Sequence, residues 1–234
     1  MIGRGEGTIL SRVQYARLVE TLRTLSDEEW EAPTDCTGWT VKDVAAHVYG
    51  NLECVAAPRE FVRQAREGKR LDPENPYDGL NAYQVRKHAS LSGPELVQRI
   101  AGIADGALRH RARTPWVLRQ AIRPRLDVAG RVSMSFVLDT IYTRDTYMHR
   151  VDVARATGRE LVVDEVEGRI VEDMVEEWAD RHGQPYTLTL TGPAGGTWQR
   201  GSGGPVLTCD AVEWTRVNSG RATGEGLLAT RVQY

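Results

Sequence analysis

Apolar residues recur at helical spacing through the first two thirds of the chain, and give way to strict alternation only near its end. Leu18, Leu22 and Leu25 predict a first helix over residues 9–25. Thr40 reads as the cap of a second, with Asp43 at the third position inside and Val41, Val44, Ala45 and Val48 as its apolar stripe. That helix is expected to reach about Arg66 and stop at Gly68, with Pro58 either kinking it or starting a new one. After the loop "LDPENPYDG", residues 80–112 predict helix, divided at "LSGPEL" where Ser92 can cap. Residues 113–130 read as irregular, and 131–157 as one long helix closed by Gly158. Beyond it, Ile170, Val171, Met174, Val175 and Trp178 mark a helix over 164–181. "YTLTLTG" alternates as a strand, "PVLTC" is a short apolar strand, Asp210 caps a helix in "DAVEWTRVNSGR", and "GLLATRVQY" reads as a final strand. The pattern predicts an α-helical unit over residues 1–160 and a small α+β unit over 161–234.

Composition bounds the class. The chain has 234 residues, 41% hydrophobic and 26% charged, enough for a sizeable core in a soluble globular protein. No run approaches the ~18 apolar residues of a membrane helix, and "MIGRGEGTIL" carries no signal-peptide core, so a cytoplasmic location with no membrane partner is expected. The formal net charge of −2 gives no general attraction to nucleic acid. Cys36, Cys54 and Cys209 form no CxxC pair, and their odd number argues against a disulfide framework.

Candidate chemistry gathers in two segments. In "RDTYMHRVDVARATGRE", Asp145, His149 and Asp152 fall within a helical arc of roughly 60°. In "GWTVKDVAAHVYGN", His47 sits at the margin of the apolar stripe. One histidine from each of two helices plus the acid of a DxxxH pair makes three ligands with an open fourth position, which suits a catalytic Zn²⁺ or similar ion. The ordinary alternatives are an exposed i,i+4 pair and a satisfied core histidine. The loop "RHRARTPWVLRQAIRPRLDVAGR" reads first as a solvated connection and then as the entrance for an anionic ligand. A nucleic-acid surface, with Trp116 as stacking platform, comes last. Cys54 lies two turns beyond His47 and reads as a buried apolar residue before a ligand or reactive thiol; Asn51, one turn from His47, can bond near the site. Trp39, Tyr142 and Tyr147 read as core, and His88, His110 and His182 as structural or surface residues.

Together "CTGWTVKDVAAHVYGN" and "RDTYMHRVDVARATGR" resemble the DinB-like mycothiol-dependent maleylpyruvate isomerase and thiol-dependent S-transferase family. The tail "PVLTCDAVEWTRVNSGRATGEGLL" is similar to the family's small sterol-carrier-like C-terminal domain. The resemblance implies a DinB-like four-helix bundle whose divalent metal, expected as Zn²⁺, is held by His47, Asp145 and His149. In some relatives the acid is Glu, so Asp145, one methylene shorter, allows a shifted or more open ligand sphere. Asp152 is implied as a partner to these residues, with surface pairing to Arg150 or Arg155 as the alternative. Arg221 matches an arginine implicated in handling substrate carboxylates. The implied chemistry is metal activation of mycothiol as a thiolate for S-transfer or conjugation to a small anionic electrophile. Maleylpyruvate-type cis–trans isomerisation is the alternative. A non-catalytic binding module on the same fold, and a hydrolase using metal-bound water, are the rival readings. Family members can dimerise through helix faces, which allows for a homodimer with no face identified.

Overall fold

The computed structural model describes residues 1–234. In chain order the elements begin with helices α1 (Arg4–Leu22), α2 (Asp27–Trp30), α3 (Val41–Ala56), α4 (Pro58–Leu71), α5 (Pro76–His88), α6 (Gly93–Arg113) and α7 (Trp116–Ala121). A small hairpin of β1 (Arg125–Leu126) and β2 (Gly130–Arg131) follows. Then come α8 (Met134–Phe136), a π-helical turn (Val137–Ile141), α9 (Tyr142–Thr157) and α10 (Glu165–His182). Last are β3 (Tyr186–Thr191), β4 (Gly196–Arg200), β5 (Val206–Asp210), α11 (Ala211–Asn218) and a 3₁₀ turn (Gly226–Ala229). The molecule is mostly helical with a small sheet, and no helix is long and apolar enough to cross a membrane.

Local chemistry sets the boundaries. Thr40 accepts from the Asp43 amide while the Asp43 side chain returns to the Thr40 amide, and Ser92 with Glu95 repeats that box at α6. Pro58 starts a new helix: it occupies the first turn of α4, where its missing N–H leaves no bond unmade. The expected helix over 131–157 starts later, at Met134, because Val132 and Arg131 belong to the hairpin and its exit, and Ser133 caps α8. The first helix ends at Leu22, not Leu25.

Helices α1, α3, α6 and α9 pack on one another around a core that includes Leu18, Leu22, Val44, Leu52, Leu96, Ile100 and Ile141. A second core gathers Ile170, Met174, Trp178, Leu188 and Trp214 with Tyr147, Met148 and Val151 of α9. In the sheet β3 is central, antiparallel to β4 and parallel to β5, so Leu188 faces Trp198 on one side and Leu207 on the other. The expected final strand does not form. Its backbone finds other partners: the Val232 amide donates to the Asn218 carbonyl at 3.0 Å, and the Gln233 carbonyl accepts from Arg144 at 2.8 Å. The tail therefore runs across the face where α9, α11 and the β1–β2 hairpin meet.

Helix α9 is buried from Tyr142 to Ala154 and belongs to both cores. Its Arg144 is fully buried, bonded to the Asp173 carboxylate at 2.7 and 3.0 Å, with Glu177 and two backbone carbonyls completing the shell. Substituting Asp173→Ala strands that guanidinium. Equilibrium denaturation is expected to show a loss of about 3 kcal/mol; a loss below about 1 kcal/mol would mean that Glu177 and the carbonyls suffice.

Candidate metal centre and its cavity

Two helices and two loops build the site. Helix α3 contributes His47 and Asn51, one turn apart, and α9 contributes Asp145, His149 and Asp152, all buried. The segment Cys36–Trp39 forms a tight turn in which the Trp39 amide donates to the Cys36 carbonyl at 2.9 Å. Gly38 sits at φ +81°, a conformation only glycine adopts without strain. Arg221 arrives from the loop after α11.

Asp145 Oδ1 lies 3.5 Å from His47 Nε2 and 3.3 Å from His149 Nε2. The Asn51 amide donates to both His47 Nε2 and Asp145 Oδ2, at 3.1 Å each. A buried chain of amides holds Asn51 in turn: Gln84 donates to its oxygen at 3.0 Å and to Gln64 at 2.7 Å. On the other side His149 Nδ1 bonds Asp152 Oδ2 at 2.9 Å, and Arg221 grips the same carboxylate with Nε at 2.5 Å and Nη2 at 2.7 Å. Asp152 is thus the outer partner of His149, and it pairs with neither Arg150 nor Arg155. Trp39 lies against both imidazoles, with ring centroids 5.2 Å from His47 and 6.4 Å from His149.

Electrostatics follow from this packing. Burial pushes the Asp145 carboxyl up, but His149 and His47 pull harder and hold it well below the usual carboxylate range. Burial pushes the His149 imidazole down, and Asp145 and Asp152 outweigh it, leaving the ring well above its ordinary value. The two carboxylates favour a proton on the His149 ring, and a metal ion at Nε2 would compete with that proton.

The donor set fits a divalent metal. Nitrogen and oxygen donors at the Zn bond lengths of about 2.0–2.1 Å stand about 3.3 Å apart at the edges of a tetrahedron, close to the two spacings observed at Asp145 Oδ1. All three donor atoms lie within 4.8 Å of one another. His47 Nε2 lies beside both the Asn51 amide and Asp145 Oδ1, so a ring nitrogen and a carboxylate oxygen face one point. His149 has the acceptor at Nδ1 that fixes a ligating tautomer, whereas His47 Nδ1 is buried without a partner.

The donors open on a cavity of about 510 Å³. Asp35, Cys36, Trp39, Tyr77, Asp78, Asp127, Arg221, Arg231, Gln233 and Tyr234 are among its walls. The arginine-rich loop supplies none of its arginines: Arg111 and Arg119 are buried on the Gly7 carbonyl and Asp139, and only Asp127 and Val128 of that stretch reach the cavity. Arg231 forms no ion pair. Cys54 is buried away from the donors, with its thiol pushed up to about 12 by desolvation. Tyr142 and Tyr147 pack in the two cores. His88 and His110 bond Glu53 and the Val55 carbonyl, and His182 packs on Trp178. Cys36, Trp39, Arg231 and Tyr234 come from loops or the tail; only the glycine of "CTGW" marks such a turn in the sequence.

The family model described as the mycothiol maleylpyruvate isomerase N-terminal domain matches residues 12–154, which include all three donors. The chain belongs to this family. Membership makes it an enzyme of the isomerase or transferase type. Two solved structures share the fold. A crystal structure of the mycothiol-dependent maleylpyruvate isomerase is 17% identical, with a TM-score of 0.58 over 95% of this chain and 91% of that one. A histidine-to-alanine mutant of that isomerase is 16% identical, with the same TM-score and coverage. No curated protein matches significantly.

Asp152→Asn keeps the shape but removes the charge that both His149 and Arg221 use. Zn²⁺ affinity, measured by competition with a chromophoric chelator, is expected to fall about 10–100-fold. An unchanged affinity would show that Asp152 serves only to hold Arg221.

Proposed function

We propose that this chain activates a low-molecular-weight thiol, mycothiol, for attack on a small electrophile at a divalent metal, most simply Zn²⁺, held by His47, Asp145 and His149. The observation that carries this reading is the convergence of two imidazole Nε2 atoms and Asp145 Oδ1 at the wall of a cavity of about 510 Å³. Family membership supports the thiol. The same reading takes residues 1–160 as a DinB-like four-helix bundle, supported by the mutual packing of α1, α3, α6 and α9, and 161–234 as a sterol-carrier-like α+β unit.

A bound divalent cation would supply the positive charge that lowers the pKa of a thiol, ordinarily ~8.5, so that the proton is released to solvent and the sulfur is available as thiolate. The chain's residues do the rest. Asp152 orients His149, Asn51 orients Asp145, and Trp39 covers both rings. Arg231, without a carboxylate partner, is the donor for an anionic group on the electrophile.

Attack forms a C–S bond and moves the π pair of an activated double bond onto the neighbouring carbon. Protonation of that carbon leaves a stable thioether, which is conjugation or S-transfer. Rotation and return of the pair expels the thiol unchanged, which is cis–trans isomerisation. The family description favours the second outcome and the open, polar cavity accommodates the first.

Elemental mass spectrometry on untagged protein is expected to give about one metal per chain in wild type and little in His149→Ala that circular dichroism shows to be folded. Wild type that stays empty after incubation with Zn²⁺ would sink the metal-based reading. Thiol titration during turnover separates the outcomes: transfer consumes one thiol per product, whereas isomerisation consumes none. Arg231→Ala is expected to raise KM for an anionic electrophile about tenfold with a smaller change in kcat. An unchanged KM would remove Arg231 from substrate binding.

A further inference from the structure

Cys36 is the one cysteine at the cavity, and the mechanism above does not use it. Its Sγ donates to Asp152 Oδ2 at 3.3 Å and accepts from Arg221 Nη2 at 3.4 Å. Sγ, a ring nitrogen of His149 and an Asp152 oxygen all lie within 4.8 Å of one another. The thiol is half-buried on the cavity wall, and its backbone is fixed by the Gly38 turn and by Thr34 Oγ1, which accepts from the Cys36 amide at 3.2 Å. A second observation points to a ligand here. The Arg221 side chain is 2% exposed, Asp152 engages its Nε and Nη2, and its Nη1 is buried with no partner. A buried guanidinium N–H left unmatched beside a cavity calls for an acceptor brought from outside.

We propose that Cys36 is a site of reversible mixed-disulfide formation with the low-molecular-weight thiol that this cavity admits. The inference rests on the thiol reading above, since it places the substrate's sulfur and a protein sulfur in one chamber. The reaction is exchange with the symmetric disulfide of the same thiol, Cys36–SH + RSSR → Cys36–S–S–R + RSH. One S–S bond forms as another breaks, the electron pair of the broken bond departs with the leaving sulfur, and the proton lost by Cys36 ends on it. There is no net oxidation, and an excess of RSH runs the exchange backwards. Arg221 Nη2 bonds the attacking sulfur and holds it at the cavity wall, and Nη1 is positioned to bond an oxygen of the incoming thiol body. A bound R group fills the space a second thiol needs to approach His47, Asp145 and His149. The adduct therefore closes the site when the disulfide form of the thiol accumulates.

The test uses the full chain, with metal content recorded on the same sample. Protein is treated with mycothiol disulfide and followed by intact mass and peptide mapping. One adduct per chain on Cys36 is expected, forming about tenfold faster than any on the half-buried Cys209. It should be absent in Cys36→Ser and removed by excess mycothiol. Exclusive labelling of Cys209, or no labelling of a folded wild type whose Cys36 reacts with a small aromatic disulfide, overturns the inference. If neither disulfide labels folded wild type, Cys36 is closed to solvent and the inference also fails. Metal-loaded protein without the adduct removes the Cys36 site alone. Metal-free protein that still forms it keeps the Cys36 site and removes the metal-based reading of function.

Discussion

A charge moved from water into a protein interior costs several kcal/mol unless a counter-charge meets it. Helix α9 buries Arg144, Asp145, Arg150 and Asp152 within little more than two turns. Their counter-charges come from different parts of the chain. Asp173 and Glu177 of α10 answer Arg144, His149 one turn on answers Asp145, Glu167 of α10 answers Arg150, and Arg221 beyond α11 answers Asp152. Neither α10 nor the loop after α11 can leave this helix without stranding a charge. The arrangement gives little net stabilisation over an apolar helix of the same shape, but it fixes which elements surround α9 and in what orientation.

The candidate metal centre is a by-product of that requirement. Asp152 is the joint: one of its oxygens bonds His149 Nδ1, and both of them bond Arg221. The loop after α11 is thereby tied to the imidazole that faces the cavity. Arg221 in turn stacks over the Tyr234 ring, its guanidinium carbon 4.4 Å from the centroid, which brings the tail onto the cavity wall. Movement of the C-terminal region would be felt at His149 through one carboxylate, with no intervening loop to absorb it. The cavity's charges also divide by depth. Asp152 neutralises Arg221, whereas Asp78 and Asp127 have no basic partner. Burial raises the Asp78 carboxyl, and the nearby charges of Asp127 and Asp72 raise it further. Under the proposed function an anionic electrophile would meet Arg231 at the cavity wall, not the arginine-rich loop.

Local signals were legible wherever one element's own chemistry decides the outcome. The Thr40 and Ser92 capping boxes, the Asp210 cap, and the alternation of "YTLTLTG" all mark real element boundaries. The tail misled because "GLLATRVQY" has strand composition, yet its backbone is satisfied by Asn218 and Arg144 and does not pair at a sheet edge. Strand β4 passed unread since "GTWQR" is short, polar and enclosed by glycines. Cys36, Trp39 and Arg231 carried no periodic signal. Their positions depend on where loops land after the helices have packed, which no window of local sequence contains.

The direction in which the DxxxH face points is the deeper case. Spacing alone puts Asp145, His149 and Asp152 on one arc, and all three are close in space. Where that arc faces is a different matter. The expected continuous helix from 131 would have fixed it by counting at 3.6 residues per turn from the first residue. Instead, the π turn at Val137–Ile141 lies just ahead of α9. One inserted residue rotates everything downstream by about 100° relative to an uninterrupted α-helix. Wide turns of this kind are disfavoured by local hydrogen-bond geometry and persist where surrounding packing demands them. Here the demand is the burial of α9: its charges must meet partners on α3, α10 and the post-α11 loop at once. A residue pattern can state which side chains share a face, but the partners of the buried charges decide what that face looks at.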